Sequence, residues 1–157
     1  MRTKLAIVVL LLLATSGANG QPNSRPDSRA AARDLVMRLS WDSVVEECRY
    51  FWWVGLTGKP AEQLVAYGRD ATGELIAALD QPNRAVAAHL ILCEIWNAPE
   101  NCTGTIDDTQ LPFTYRFGQL SFTSESRAKN TLSPAMLREN QEAWKRTVQP
   151  TGPTENW

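Results

Sequence analysis

Apolar residues recur every three or four positions through most of the chain, which is the spacing of a helix with one buried face. The pattern predicts helices over residues 30–39, from residue 43 to about 56, from Pro60 to about residue 68, and over residues 70–79, 84–96 and 134–147. Pro60 and Pro134 suit the first position of a helix. Asn83 is expected to cap the helix that follows it.

The segment from residue 43 to about 56 fits two structures. Ser43 and Glu46 match a capping box, in which each side chain satisfies a free backbone N–H, and this pair favours a helix. The run Tyr50-Phe51-Trp52-Trp53-Val54 is also typical of a strand, because aromatic residues and valine suit a pleated surface. A helix is the preferred interpretation, and a strand is the alternative.

The same aromatic run supplies the candidate binding residues, Trp52 and Trp53. Successive residues of a helix are rotated by about 100°, so no single core face can hold all four aromatic side chains. Clustered aromatic side chains that remain exposed are frequent anchors of binding surfaces. The alternative is that the segment is sandwiched inside the domain and belongs to the core.

A different periodicity follows Pro99. The residues Phe113-Thr-Tyr115-Arg-Phe117 alternate with a period of two, and Gly118-Gln119 can turn the chain back into Leu120-Ser-Phe122. This pattern predicts a short β-hairpin near residues 113–123.

Residues 61–96 contain three successive predicted helices, with a turn before the last of them, AEQLVAYGRDATGELIAALDQPNRAVAAHLILCEIW. A helix ends near a glycine, a Leu-Ile-x-x-Leu helix follows, and an Asp-Gln-Pro-Asn turn leads into an alanine-rich helix that ends in Leu-x-x-x-Ile. This layout resembles a HEAT or armadillo-type helical repeat. The resemblance implies an α-solenoid-like scaffold, and such scaffolds mostly bind other proteins.

None of these helices can bury its apolar stripe alone. Packed as an antiparallel hairpin, they can cover one another's apolar residues, which are Leu64, Leu75, Ile76, Leu79, Val86 and Leu90. The expected fold class is therefore mainly α: a small helical domain with a HEAT-like helical hairpin as its core and a short β-hairpin near residues 113–123.

The N-terminus has the order of a secretory signal peptide. Arg2 and Lys4 precede the apolar run LAIVVLLLLA, and small or polar residues follow up to Gly20. Cleavage is expected after Gly20, with Ala18 as the alternative. The apolar run is about half of the roughly 20 residues that a membrane span needs, so no stable anchor is expected after cleavage.

These features divide the chain into a signal peptide (residues 1–20), a flexible leader (21–29), a helical domain (30–148) and a disordered tail (149–157). The expected location is secreted or periplasmic. Removal of Arg2 and Lys4 with the signal peptide lowers the net charge from −1 to about −3. The mature chain has no basic stripe, which argues against nucleic acid as a partner.

A catalytic interpretation must begin with His89, because it is the only histidine in the sequence. Cys93 lies four residues further along the same predicted helix and could form a thiolate–imidazole couple with it. The alternative is a histidine at the edge of the core beside a buried cysteine. The sequence has no recognisable metal-ligand spacing and no phosphate-binding loop, so no metal or cofactor is expected.

The sequence therefore favours an exported, non-catalytic binding or scaffold protein of unknown partner, for which another protein is the candidate. The alternative is a small extracytoplasmic hydrolase that uses His89.

The cysteines are Cys48, Cys93 and Cys102. An oxidising compartment permits disulfides, and Asn97-Ala98-Pro99 breaks the helix so that the chain can double back. A Cys93–Cys102 disulfide is the predicted pair. The alternative is that Cys93 is a small buried residue with a free thiol.

Overall fold

The computed structural model describes residues 26–48, 52–107, 109, 111–129 and 131–149. The predicted signal peptide, residues 21–25 of the leader and residues 150–157 of the tail lie outside the described residues. The helices are α1 (Pro26–Met37), α2 (Lys59–Tyr67), α3 (Thr72–Ala78), α4 (Ala85–Trp96), α5 (Pro99–Cys102), α6 (Ser124–Lys129) and α7 (Pro134–Val148). The strands are β1 (Val44–Cys48), β2 (Trp52–Leu56), β3 (Gly104–Asp107), β4 (Thr114–Phe117) and β5 (Leu120–Thr123).

The fold is mixed α/β. Within the described residues, β1 and β2 form one antiparallel sheet, and β3, β4 and β5 form a second antiparallel sheet in that order. The expectation of a mainly α domain built on a HEAT-like helical hairpin is therefore wrong. Two short sheets contribute to the structure beside the helices.

The largest correction concerns the segment from residue 43 to 56, whose described residues 44–48 and 52–56 form the paired strands of the β1–β2 hairpin and not a helix. Val44 pairs with Leu56 and Cys48 pairs with Trp52 in its register. Valine, tryptophan and the other large side chains of this segment favour the pleated conformation. The alternative interpretation of the aromatic run, a strand, is correct for its residues 52–54, which lie in β2.

Ser43, the predicted cap of this segment, belongs to a different element. Ser40 caps a short 3-10 turn, Trp41–Ser43, and its hydroxyl accepts from the N–H of Asp42 while the Ser43 side chain bonds back to the Ser40 N–H. Ser43 is therefore the last residue of a turn and not the cap of a helix. Its carbonyl oxygen then accepts from the N–H of Thr57 at 3.0 Å, which closes the open end of the hairpin.

Several helices lie where the apolar pattern predicts them. α2 and α7 begin within a residue of the predicted starts at Pro60 and Pro134, and the Ser133 hydroxyl caps α7 by accepting from Met136 N–H. α1 begins at Pro26, four residues before its predicted start. Asn83 does not cap α4, because Arg84 occupies that position and makes no capping bond.

The second sheet contains the predicted hairpin, β4–β5, and one strand, β3, that the sequence pattern does not predict. β3 pairs with β4 at the edge of the sheet, and most of its residues are exposed. An exposed edge strand needs no alternation of apolar and polar residues, so nothing in its polar sequence marks it as a strand. Gly118 turns the hairpin with φ 52°, and a Cβ there would lie 2.9 Å from Asn101 Cα.

A single apolar core connects the helices to the sheets. α3 packs against α4, α1 packs against α2 and α3, and α7 packs against α3 and β5. All six residues predicted to be covered by helix packing are buried: Leu64, Leu75, Ile76, Leu79, Val86 and Leu90. Trp144, Tyr115 and Phe122 are the largest of the fully buried side chains.

Candidate functional site

His89 lies in a buried polar cluster between α4, α5 and α7. Its Nδ1 atom is 3.0 Å from the indole Nε1 of Trp144 and 2.9 Å from Oδ1 of Asn140. Its Nε2 atom is 2.9 Å from the carbonyl oxygen of Asn101. Three of these side chains, His89, Asn140 and Trp144, have no exposed surface, and we call the four residues the His89 cluster.

The partners of His89 determine its tautomer. The indole N–H of Trp144 can only donate, so Nδ1 of His89 must accept. The carbonyl of Asn101 can only accept, so Nε2 must carry the proton. The imidazole is therefore neutral. Burial lowers the pKa of His89 to about 4, although the hydrogen bond to Asn101 acts in the opposite direction.

The same reasoning fixes the amide of Asn140. An amide oxygen cannot bond to the lone pair of Nδ1, whereas an amide nitrogen can donate to it. The amide nitrogen of Asn140 is otherwise buried without a partner. We therefore assign the orientation, related by a half-turn of the amide, in which this nitrogen faces His89 Nδ1.

This geometry suits a structural histidine. A general base must reach the proton that it removes, but His89 has no exposed surface and uses both ring nitrogens in the cluster. Cys93 contacts Cys102 and not His89, and burial raises the pKa of the Cys93 thiol far above its ordinary value. A hydrolase that uses His89 therefore finds no support in the structure.

The two cysteines of the predicted disulfide lie next to each other. Cys93 is near the end of α4, Cys102 is the last residue of α5, and Asn97 turns the chain between them with φ 47°. Both thiols are half-buried and free, and the neighbouring Cys102 adds to the effect of burial in raising the pKa of the Cys93 thiol. Burial also raises the pKa of the Cys102 thiol. The chain thus doubles back between them, and the disulfide itself stays a prediction.

We expect protein recovered from an oxidising compartment to carry a Cys93–Cys102 disulfide. The bond would close a loop of 10 residues, and the loss of unfolded-state entropy stabilises a loop of that size by about 2–3 kcal/mol. Peptide mass mapping without reduction identifies the bond, and denaturation with and without a reductant measures the stabilisation. Detection of Cys48 linked to either residue would contradict the pairing.

Trp52 and Trp53, the binding residues that the sequence singles out, are the first two residues of β2. Their backbones pair with Cys48 and Glu47 of β1. Their side chains, together with all of Tyr50 and Phe51, lie outside the described residues. Their role as binding anchors therefore stays a prediction.

A surface groove between α1 and α3 is the other candidate site. Two adjoining cavities of about 470 and 220 Å³ share Arg33 and Glu74 as lining residues. Arg29 lines the larger cavity, and Met37 and Arg84 line the smaller one. We call the five residues Arg29, Arg33, Met37, Glu74 and Arg84 the arginine groove.

Two guanidinium groups hold a single carboxylate in this groove. Arg29 and Arg33 lie one helical turn apart on α1, and their Nε atoms are 2.9 and 3.3 Å from the two carboxylate oxygens of Glu74. The hydrogen bond from Arg29 is the main reason that the pKa of Glu74 lies below its ordinary value. The Arg29 and Arg33 side chains remain 76% and 73% exposed, against 10% for Glu74.

Arg84 closes the other end of the groove. It donates from Nη2 to the carbonyl oxygen of Met37 at 3.2 Å and from Nη1 to the side-chain oxygen of Gln81. The Nε–H of Arg84 is buried and has no acceptor. Chemically, the groove offers guanidinium N–H groups to a carboxylate, next to the apolar Met37, whose side chain is 56% exposed.

The described part of the chain contains neither a candidate metal-binding cluster nor a candidate membrane-spanning helix. No group of three or more histidine, cysteine or acidic side chains there is placed to hold a metal ion. Among the described helices, none is long and apolar enough to cross a membrane.

Comparison of the chain with protein-family models, with curated proteins and with solved structures gives no match. The function proposed below therefore rests on the geometry of the described residues.

Sequence reasoning did not identify the arginine groove or the partners of His89. Arg29 and Arg33 stand four residues apart, a spacing that places two residues on one helical face, and this signal was available. Glu74 is 45 residues from Arg29 in the chain, and no local pattern connects them. Asn140 and Asn101 are likewise brought to His89 only by the packing of α5 and α7.

Proposed function

We propose that the protein is an exported, non-catalytic module that binds another protein, with the arginine groove as a binding surface. The observation that carries the proposal is the composition of the groove: two largely exposed guanidinium groups beside an exposed methionine. Arginine and methionine are enriched in protein interfaces relative to the rest of a protein surface. Trp52 and Trp53 remain candidate anchors of the same kind.

The remaining reactive groups support a non-catalytic role. His89 is buried and neutral, and the Cys93 thiol is held protonated by its surroundings. The expected net charge of the mature chain is negative, which disfavours nucleic acid as the partner. The proposal that the protein is exported rests on the order of basic residues, apolar run and small residues at the N-terminus.

Site-specific photo-cross-linking in the producing organism tests the proposal. A benzophenone amino acid in place of Arg33 should cross-link to one partner protein, which mass spectrometry identifies. The same probe in place of Arg146, which is exposed on α7, is the matched control and should not capture that partner. The purified partner should then bind the wild-type protein and lose affinity for an Arg33→Glu variant.

Two results would count against the proposal. Equal cross-linking to the same proteins from positions 33 and 146 would show random collision. A purified partner that binds wild-type and Arg33→Glu protein equally would show that the groove is not the binding surface.

A further inference from the structure

We propose that the arginine groove recognises an acidic segment of its partner, in which an aspartate or glutamate is followed by an apolar residue. This inference rests on the proposed function and names the chemistry of the partner. In it, the partner's carboxylate pairs with the exposed guanidinium groups of Arg29 and Arg33, while the apolar residue covers Met37.

The charge of the groove favours an acidic occupant. Three arginines face one glutamate, so the groove carries a net charge of about +2 on a chain whose overall charge is −1. The cavity of about 430 Å³ along α7 provides a contrast, because Arg138 and Arg146 there are balanced by Glu139 and Glu142. Complementary charge steers a partner to the matching surface and selects against others.

Unused hydrogen-bond donors point to the same occupant. Arg29 and Arg33 contact Glu74 through Nε, so their Nη atoms remain free to donate. A carboxylate oxygen would satisfy such a donor, and guanidinium groups bind carboxylates in planar, two-pronged geometry.

The dimensions and the apolar edge favour a peptide. Arg29, Arg33 and Met37 lie at four-residue intervals along one face of α1, which spans about 12 Å at 1.5 Å per residue. About four residues of extended peptide cover this distance. Val36 and Ala78, which are buried, form apolar lining beside Met37. A bare phosphate would leave this apolar part uncovered, and the Glu74 carboxylate would repel its higher charge.

Titration with defined peptides tests the inference. The probes are acetyl-Leu-Glu-Leu-Glu-Leu-Glu-amide and the matched peptide with glutamine at each glutamate, followed by NMR of the arginine Nε–H signals at low ionic strength. We expect saturable shifts of the Arg29 and Arg33 signals with the acidic peptide. Its affinity should exceed that of the glutamine peptide at least tenfold.

Variants separate this groove from general attraction. Arg33→Glu changes an exposed side chain and should weaken binding of the acidic peptide at least tenfold. Arg146→Glu makes the same charge change on α7 and should alter affinity less than twofold. Equal binding of both peptides, or equal losses in both variants, would overturn the inference. Tighter binding of inorganic phosphate at the same arginine signals would assign the groove to phosphate instead.

Failure here can be told apart from failure of the proposed function. Cross-linking of a partner through position 33, together with equal binding of both peptides, would keep the binding function and reject the acidic segment. Selective binding of the acidic peptide without any cross-linked protein would keep the chemistry of the groove and reject a protein partner.

Discussion

Replacement of Trp144 by alanine should destabilise the protein by about 3–5 kcal/mol, the usual cost of removing a large aromatic side chain from a core. Trp144 has no exposed surface, and its indole N–H donates to His89 Nδ1. The substitution therefore leaves a cavity and also removes a hydrogen bond from a buried ring. Since small domains are stable by only about 5–15 kcal/mol, the variant should be close to unfolding. Urea denaturation measures the loss.

Trp96→Ala is the matched control for this prediction. Trp96 is half-buried, and its indole N–H donates to Thr72 Oγ1 at 3.0 Å while Arg69 lies over its ring. Its removal opens less of a cavity, so the loss should be clearly smaller than that of Trp144→Ala. Equal losses in the two variants would show that the His89 cluster adds nothing to the core.

Acid should weaken the fold through His89. The pKa of His89 is lowered from 6.5 to about 4 by burial, so the unfolded chain takes up its proton first as the pH falls. The contribution of the neutral ring is fully present above about pH 6.5 and is lost progressively towards about pH 4. Over that range the free energy of unfolding should fall by about 3 kcal/mol. Urea denaturation at successive pH values measures the change.

The effect of His89 on stability can be separated from that of other titratable groups. His89 is the only histidine, so the change in stability between about pH 6.5 and 5 belongs mainly to it. The pKa of Glu74 is lowered from 4.5 by its hydrogen bond to Arg29, so its contribution is also lost on acidification but at lower pH. A free energy of unfolding that is flat between about pH 6.5 and 5 would contradict the prediction.

The helices that the sequence predicts correctly share a clear local signal. α2 and α7 combine a proline at the first turn with an apolar stripe, and Ser133 adds a side-chain cap for α7. Such signals act over a few residues, so they do not depend on how the helices pack in the tertiary structure. The buried positions of Leu75 and Leu90 follow from the same stripes.

The errors arise where two local signals compete. Ser43 and Glu46 have the spacing of a capping box, but Ser40 three residues earlier forms the box with Ser43 instead. Once Ser43 is used there, the valine- and tryptophan-rich segment follows its preference for strand. β3 was not predicted because no local signal indicates it: an exposed edge strand has no buried face to mark it.

The candidate site was less predictable than the fold because its parts are distant in sequence. The sequence identified His89 and Cys93 from their spacing on one helix, but the structure gives each a different partner, Asn101 and Cys102 among them. The arginine groove combines α1 with α3 and the start of α4. Its charge pattern appears only after these helices have packed.

The structure makes the only histidine of the chain a buried, neutral group, which argues against acid–base catalysis by His89. NMR of the ¹⁵N-labelled imidazole tests this protonation state. We expect a ring protonated at Nε2 whose signals change little between about pH 8 and pH 5, because its pKa is about 4. A ring that titrates near its ordinary pKa of 6.5, or that carries its proton on Nδ1, would contradict it.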